Sequence, residues 1–485
     1  MAVNNDPARK VLIAVCPMWD IRWPPLGLSY LASYLESQGI AVDILDINID
    51  VYSNSSTERK ELWRMESYNH WFFEDKFERL AFQDQIDQYA QNILDKGYQV
   101  VGFSLYAANI LFSVKLATIL KKANPELFII FGGPACWFLH DHPKMPIQYM
   151  VSPKTSESFI EPGVVDVFVR GEGEEAAKRV ILSHFNSYKD KVPGTVVYSQ
   201  GRYIIQEPPQ RINDLDKLPY PDWERVSLDL YREEIGVPIL FSRGCVNRCA
   251  FCIDWKIWQK KYRVRSAENI FQEMREVVEK YKVNVFVSND LLFNARLDVL
   301  EDLAGFIINS GLKISWNVQG LIRADMGFPL LRKMRVSGLE RVTYGVESLS
   351  DKVLKDMGKP YNFSDIQKVL RNSKKAGIVT AFNLIVGFPT ESEKDFIQTK
   401  ERLALIKDDV DMIAGLQGCG LKDGSDIYMH PEKYSILPEL KNDFWKSLRG
   451  NNNLEVRQRR INELSDFAQK LGLKIEFKGI PAPSS

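Results

Sequence analysis

Three of the chain's six cysteines fall within eight residues, as Cys245-Val-Asn-Arg-Cys249-Ala-Phe-Cys252, just after the apolar run Val237–Phe241 and the phrase Ser242-Arg243-Gly244. With three and two residues between them, these thiols can converge on one metal centre from a single loop. A structural zinc ion needs four ligands. The next cysteine is Cys419, and no histidine lies nearby. Three thiolates on a four-iron cube instead leave one iron open, and a substrate's amine and carboxylate can take that position. Soft thiolates suit such a [4Fe–4S] cluster. A zinc site or a chance grouping is the alternative, and the missing fourth ligand weighs against it.

The spacing, the aromatic Phe251 before the third cysteine, and Ser242-Arg243-Gly244-Cys245 following a strand resemble the radical S-adenosylmethionine (SAM) superfamily. The resemblance implies that SAM chelates the open iron and is cleaved by one electron to methionine and a 5′-deoxyadenosyl radical, with Phe251 near the adenine. It implies an electron donor such as a flavodoxin or ferredoxin. The elements that would position this loop fit a partial (β/α)6 barrel over 236–430, with strands expected at 237–241, 283–288, 313–318, 340–344, 381–386 and 411–416. Barrel chemistry belongs at the carboxyl ends of strands. There the chain places Asn289 and Asp290, Gln319 with Arg323, Gly345-Val346-Glu347-Ser348, and Gly387-Phe388-Pro389. By the resemblance Glu347 and Ser348 belong to the SAM site, Glu347 meeting the amino or ribose group, and Gly387 lies on the strand passing the adenine. Each of these residues could equally be a cap at the barrel mouth. Cys419, after the last strand, is a candidate catalytic thiol facing the substrate; a small buried hydrophobe is the commoner fate of a free cysteine.

The first half alternates short apolar runs with helical patterns, which predicts an α/β fold with a parallel sheet covered on both faces. Ligands of such sheets sit beyond the carboxyl ends of the strands. Small residues gather there: Pro25 and Gly27, Ser104, Gly132 and Gly133, then Gly171-Glu172-Gly173. Missing side chains would let a large ligand approach the backbone, although ordinary strand-to-helix turns use the same residues. An aromatic-rich insertion at about 53–95 reads as one or two helices engaged in packing. His140 and His142 read as exposed.

An α/β domain ahead of this cysteine cluster resembles the cobalamin-binding class of radical SAM enzymes. Pro24-Pro25-Leu26-Gly27-Leu28, Val101-Gly102-Phe103-Ser104, Gly132-Gly133-Pro134 and Arg170-Gly171-Glu172-Gly173-Glu174 carry the likeness, with Met357-Gly358-Lys359 and Gly387-Phe388-Pro389-Thr390-Glu391 in the second half. The resemblance implies a Rossmann-like cobalamin-binding domain (1–205), a linker (206–235), the barrel, and a small helical cap (431–485) whose run Arg457, Arg459, Arg460 reads as a solvated helix face. The small residues above become the cobalamin side. The implied reaction is methylation of an unactivated carbon of a small molecule, lipid or peptide. Cyclisation, ring contraction or another rearrangement is the alternative, and a non-catalytic iron–sulfur redox sensor is the alternative of another class.

Bulk properties narrow the partners. Lys+Arg equals Asp+Glu at 63 each, so no net field favours nucleic acid or an anionic membrane. No apolar run reaches the roughly 18 residues of a membrane span, the N-terminus lacks a signal-peptide core, and the sparse cysteines suit a reducing compartment. A soluble cytoplasmic protein is expected.

Overall fold

Short apolar runs buried on both faces make parallel strands, and the sequence supplies them in both halves of the chain. The computed structural model describes residues 10–64, 67–139, 161, 163–186, 191–231, 236–258, 261–422, 424–437 and 444–479. His140 and His142 lie outside these. The chain divides into two units, residues 1–235 and 236–485.

In the first unit the strands are β1 (Val11–Val15), β2 (Val42–Asp46), β3 (Val100–Ser104), β4 (Phe128–Gly132), β5 (Val167–Val169), β6 (Thr195–Ser199) and β7 (Arg202–Ile205). They lie in the order β2-β1-β3-β4-β5-β6-β7. The first five are parallel, while β6 and β7 add an antiparallel hairpin. The helices Leu26–Ser37 and Gly173–Phe185 bury Leu28, Leu35, Val180 and Ile181 against Val11, Ile13 and Val100 of the sheet. Strand order reverses between β1 and β3, the place where such sheets bind ligands.

Among the described residues the insertion forms four α-helices between Thr57 and Asp95, more than expected. Its rings pack: Trp71 meets Trp63 at 5.0 Å and Phe82 at 5.1 Å, and Phe77 reaches Phe112 of the helix Ile110–Ala123 at 6.5 Å. The stretch expected to cross between domains at 206–235 is, as far as residue 231, part of the first unit's packing. Leu215, Leu218, Trp223 and Val226 are buried. Asp222 N–H donates to Ser33 Oγ (2.9 Å), and the Tyr231 hydroxyl donates to Asp46. Isolated apolar residues among polar ones give little sign of this anchoring.

In the second unit β8 (Val237–Ile239), β11 (Val285–Ser288), β12 (Ser315–Gly320), β13 (Leu339–Glu347), β14 (Val379–Val386) and β15 (Met412–Gly418) are the six expected strands, and a small hairpin, β9 (Ser242–Arg243) with β10 (Arg263–Val264), follows the first. A seventh strand, β16 (Lys474–Gly479), pairs in parallel with β15, so the order is β16-β15-β14-β13-β12-β11-β8. The C-terminal segment is therefore more than a helical cap. It adds the helix Leu454–Lys470 and a largely exposed edge strand, whose lysines discourage further pairing. Nor is its basic run a solvated face. Arg459 is exposed, but Arg457 and Arg460 are each 2% exposed.

Local chemistry punctuates the repeats. Asn362 and Ser392 open the helices Phe363–Ala376 and Glu393–Ile406 with reciprocal caps to Asp365 and Asp395, each worth about 1 kcal/mol. Among the described residues no helix is long and apolar enough to cross a membrane.

Candidate functional site

The cysteine loop leaves β9 through Gly244, whose φ is +96° and where a Cβ would stand 2.1 Å from Lys261 O. Only glycine fits that turn. Beyond it the loop is held at its middle: Ala250 N–H donates to Met357 O (2.9 Å), and Ala250 O accepts from Ile427 N–H (3.1 Å). Asp290 secures the approach. Buried at the end of β11, it accepts from Phe241 N–H (3.0 Å), from the Ser242 N–H and hydroxyl, and from Ser288 Oγ (2.6 Å). Burial pushes its carboxyl up while these donors pull it down. The structure thus places Asp290 behind the loop, its oxygens spent on the chain, and not on an open SAM face.

Beside Cys249 stands a buried ion pair. Glu347, in the left-handed region at φ +67°, ends β13, and its Oε1 lies 3.5 Å from Lys359 Nζ. The ammonium also donates to Gly345 O (3.1 Å), as does the Tyr361 hydroxyl (2.6 Å), and it lies 5.5 Å from the centroid of the Phe251 ring. Burial alone favours the neutral amine, but Glu347, Tyr361 and Cys249 together hold it charged. Burial raises all three cluster thiols. Lys359 works against this at Cys245 and Cys249, whereas the Asp254 carboxylate adds to it at Cys252. A metal that binds here must therefore displace protons from buried thiols.

The donor set suits the expected cluster. Three soft thiols on one clamped loop, with an ammonium beside the middle one, match a cube whose irons take one thiolate each.

The other expected residues divide. Arg323 donates to Asn294 O (2.9 Å) and Ala295 O (2.6 Å) and lines a cavity of about 300 Å³ with Val246, Asn247, Leu292, Asp325 and Tyr361. Asn289 and Gln319 are exposed at the carboxyl ends of β11 and β12. Ser348 is buried, and its hydroxyl accepts from Ser350 N–H (3.2 Å) within a turn. Cys419 does not face an open site. It is 2% exposed and packs with Ala250, Met357, Phe388 and Trp445 in one core. Gly387 turns at φ +72° against Arg457 of the C-terminal helix. Sequence reasoning does not single out Lys359 as a functional residue, although the phrase Met357-Gly358-Lys359 contains it.

In the first unit Gly27 and Gly173 lie in the opening turns of helices that follow β1 and β5, and among the described residues no atom beyond the adjoining residues and the helix's own backbone lies within 4 Å of where a Cβ would stand on either. They leave the open surface that a large ligand needs. Pro25 starts the first of these helices, accepting from Leu28 and Ser29 N–H. The remaining small residues serve the fold. A Cβ at Gly133 (φ +92°) would stand 2.7 Å from Leu105 N, one at Gly171 (φ +76°) would meet Pro209 at 2.9 Å, and Gly132 O accepts from Leu105 N–H. Ser104 O accepts from Asn109 Nδ2 (3.0 Å), and Glu172 Oε2 from Ile212 N–H (3.2 Å). Beyond the ends of β1 and β3, where strand order reverses, the rings of Trp19 and Tyr106 lie against each other, centroids 3.8 Å apart and planes tilted by 32°, and the Trp19 indole N–H is buried without a partner among the described residues. Glycine-bared helix starts beside a buried, unpartnered indole N–H at the carboxyl end of a parallel sheet suit a large flat ligand such as a corrin. Sequence spacing gives no signal for the Trp19–Tyr106 pair, because the two residues are 87 positions apart.

Residues 239–403 match the model of the Radical SAM superfamily. An uncharacterized methyltransferase of Pyrococcus horikoshii is 24% identical over 376 residues, 77% of this chain and 71% of the relative. The anaerobic magnesium-protoporphyrin IX monomethyl ester cyclase of Rubrivivax gelatinosus is 24% identical over 391 residues, 78% of this chain but 61% of the relative. Among solved structures, the radical SAM methyltransferase TsrM of Kitasatospora setae, with cobalamin and a [4Fe–4S] cluster bound, matches with a TM-score of 0.64 at 15% identity, over 88% of this chain and 78% of that one. That last likeness is one of fold.

Proposed function

The chain carries a radical SAM domain, and on that premise we propose that it is a cobalamin-dependent methyltransferase acting on an unactivated carbon of a small molecule, lipid or peptide. The observation that carries the reading is the clamped loop of three thiols with the Glu347–Lys359 pair beside it, in a chain whose other unit bares two helix starts with glycine beyond the carboxyl end of a parallel sheet. Cys245, Cys249 and Cys252 would hold the cluster, and Gly27, Gly173, Trp19 and Tyr106 would border the corrin. When bound, the cluster and SAM supply an adenosyl radical and cobalamin supplies the methyl group.

The chain's own residues bind, orient and exclude water. Glu347, fixed by Lys359, presents a carboxylate to the ammonium or ribose of SAM, while Phe251 and Gly387 border its adenine. Arg323 and Tyr361 line the cavity beside the loop, where a substrate of modest size can be held near Val246 and Asn247. Reduction requires a flavodoxin or ferredoxin, which implies a cytoplasmic setting.

The similarity to a cyclase supports ring formation as a second reading. Reduced protein loaded with cluster and cobalamin, given methyl-labelled SAM, separates the two. Label recovered with the extracted corrin supports methyl transfer. Deoxyadenosine without labelled corrin supports the cyclase-like outcome.

A further inference from the structure

The chain leaving β14 turns at Gly387, and the groups of that turn are taken up by partners most of which lie far along the sequence. Gly387 N–H donates to Glu391 Oε2 (2.5 Å), and Gly387 O accepts from Asn452 Nδ2 (3.1 Å), which also serves Phe388 O (3.1 Å). A Cβ at Gly387 would stand 2.4 Å from Arg457 Cγ, so the arginine stem fills the space that glycine leaves. Glu391 is in turn held by Arg460 Nη1 (2.8 Å), with both side chains at most 2% exposed. The Arg457 guanidinium lies 4.1 Å from the Trp445 ring centroid, and both its terminal nitrogens donate to Trp445 O at 3.2 Å. Trp445 Nε1 donates to Cys419 O (2.7 Å), at the end of the neighbouring β15.

Residues 445–460 therefore brace the carboxyl ends of two adjacent strands. A buried ion pair is a poor way to gain stability, because an apolar contact of the same shape does as well. What the polar version adds is direction, since each hydrogen bond fixes one backbone group of one turn.

We propose that Asn452, Arg457 and Arg460 are positioning residues for SAM: the C-terminal segment sets the Gly387–Phe388 turn against which the adenosyl portion lies. Affinity for the cosubstrate then depends on a side chain 65 positions from the strand end it acts on. The inference rests on the reading that Gly387 borders SAM.

The test uses the full chain with its cluster reconstituted. Asn452→Ala removes two hydrogen bonds and leaves no charge, Arg460→Met removes the partner of Glu391, and Arg459→Met alters an exposed arginine of the same helix as a control. Circular dichroism and iron content establish that each variant is folded and loaded. Equilibrium dialysis with labelled SAM, and the shift of the reduced cluster's EPR spectrum on adding SAM, report binding. Asn452→Ala and Arg460→Met should weaken SAM binding by about tenfold or more and raise the KM for SAM in uncoupled cleavage with kcat unchanged. Arg459→Met should bind as the parent does. If Arg460→Met does not fold, Asn452→Ala decides alone. Wild-type affinity in folded, loaded Asn452→Ala overturns the proposal, as does equal weakening in Arg459→Met. A parent chain that binds no SAM at all overturns instead the reading of the site on which the proposal stands.

Discussion

Replacing Lys359 with Met keeps the bulk of the side chain and removes its charge. At 3.5 Å, and at an effective dielectric constant of about 20, the attraction lost with Glu347 is roughly 5 kcal/mol. Breaking a buried pair from one side typically costs about 3–5 kcal/mol, because the remaining charge stays desolvated and alone. Glu347 fits that case: its side chain is 14% exposed. For a unit of this size such a loss lowers the melting temperature by roughly 6–20 °C. The double variant Glu347→Gln, Lys359→Met leaves no unpaired charge and should regain at least half of the loss. Denaturant titration of the metal-free chain, followed by circular dichroism, measures both. The thiolate absorbance of the same protein reports a second effect: without the ammonium, Cys249 should ionise at higher pH. A single variant within about 0.5 kcal/mol of the parent, or a double variant as weak as the single, refutes the buried-pair reasoning.

Three further outcomes follow from the first unit. Burial raises the Asp46 carboxyl to about 6, against the pull of the Tyr231 hydroxyl and the Ile49 N–H. Because the folded-state value lies above the ordinary one, this group's stability term is full below about pH 4 and is lost as pH rises through about 6, by up to about 3 kcal/mol; Asp46→Asn should flatten that slope in melts across pH, and an unchanged slope rejects the assignment. Gly27→Val, with open space around it, should leave the melting temperature nearly unchanged and abolish corrin binding seen by visible absorbance, whereas Gly133→Ala, strained at φ +92° against Leu105, should cost about 1–3 kcal/mol; the reverse pattern contradicts the division between open and turn glycines. Trp71→Ala, at the centre of the insertion's ring cluster, should destabilise the unit by about 3–5 kcal/mol, and a loss under about 1 kcal/mol in urea titration would mean the insertion does not pack as described.

Much of this molecule is legible in its sequence, for identifiable reasons. Parallel strands announce themselves as apolar runs, so the six strands from Val237 to Gly418 lie close to where the sequence predicts them. Metal-ligand spacing is a local property, and the loop from Cys245 to Cys252 can be read without knowing anything distant. What stays hidden is long-range. The charges of Arg457 and Arg460 give no sign that Trp445 and Glu391 bury them. Asp290 and Glu347 are both carboxylates at strand ends, and only the positions of the Ser242 and Ser288 donors reveal that the first is spent on the loop. The strand β16 is short, charged on one face and at an edge, where alternation is the sole signal. Cys419 follows the last barrel strand as its sequence position implies, yet whether its thiol faces a site or a core depends on Trp445, 26 positions away.

The proposed chemistry turns on three sulfurs that leave one iron for SAM. Anaerobic reconstitution followed by reduction, with EPR recorded before and after adding SAM and with deoxyadenosine quantified, measures this directly. The prediction is about four irons per chain, a cluster signal that shifts with SAM, and deoxyadenosine that disappears when any one of Cys245, Cys249 or Cys252 is replaced by Ala. One zinc and no iron per chain, or a cluster spectrum indifferent to SAM with no deoxyadenosine formed, would contradict it.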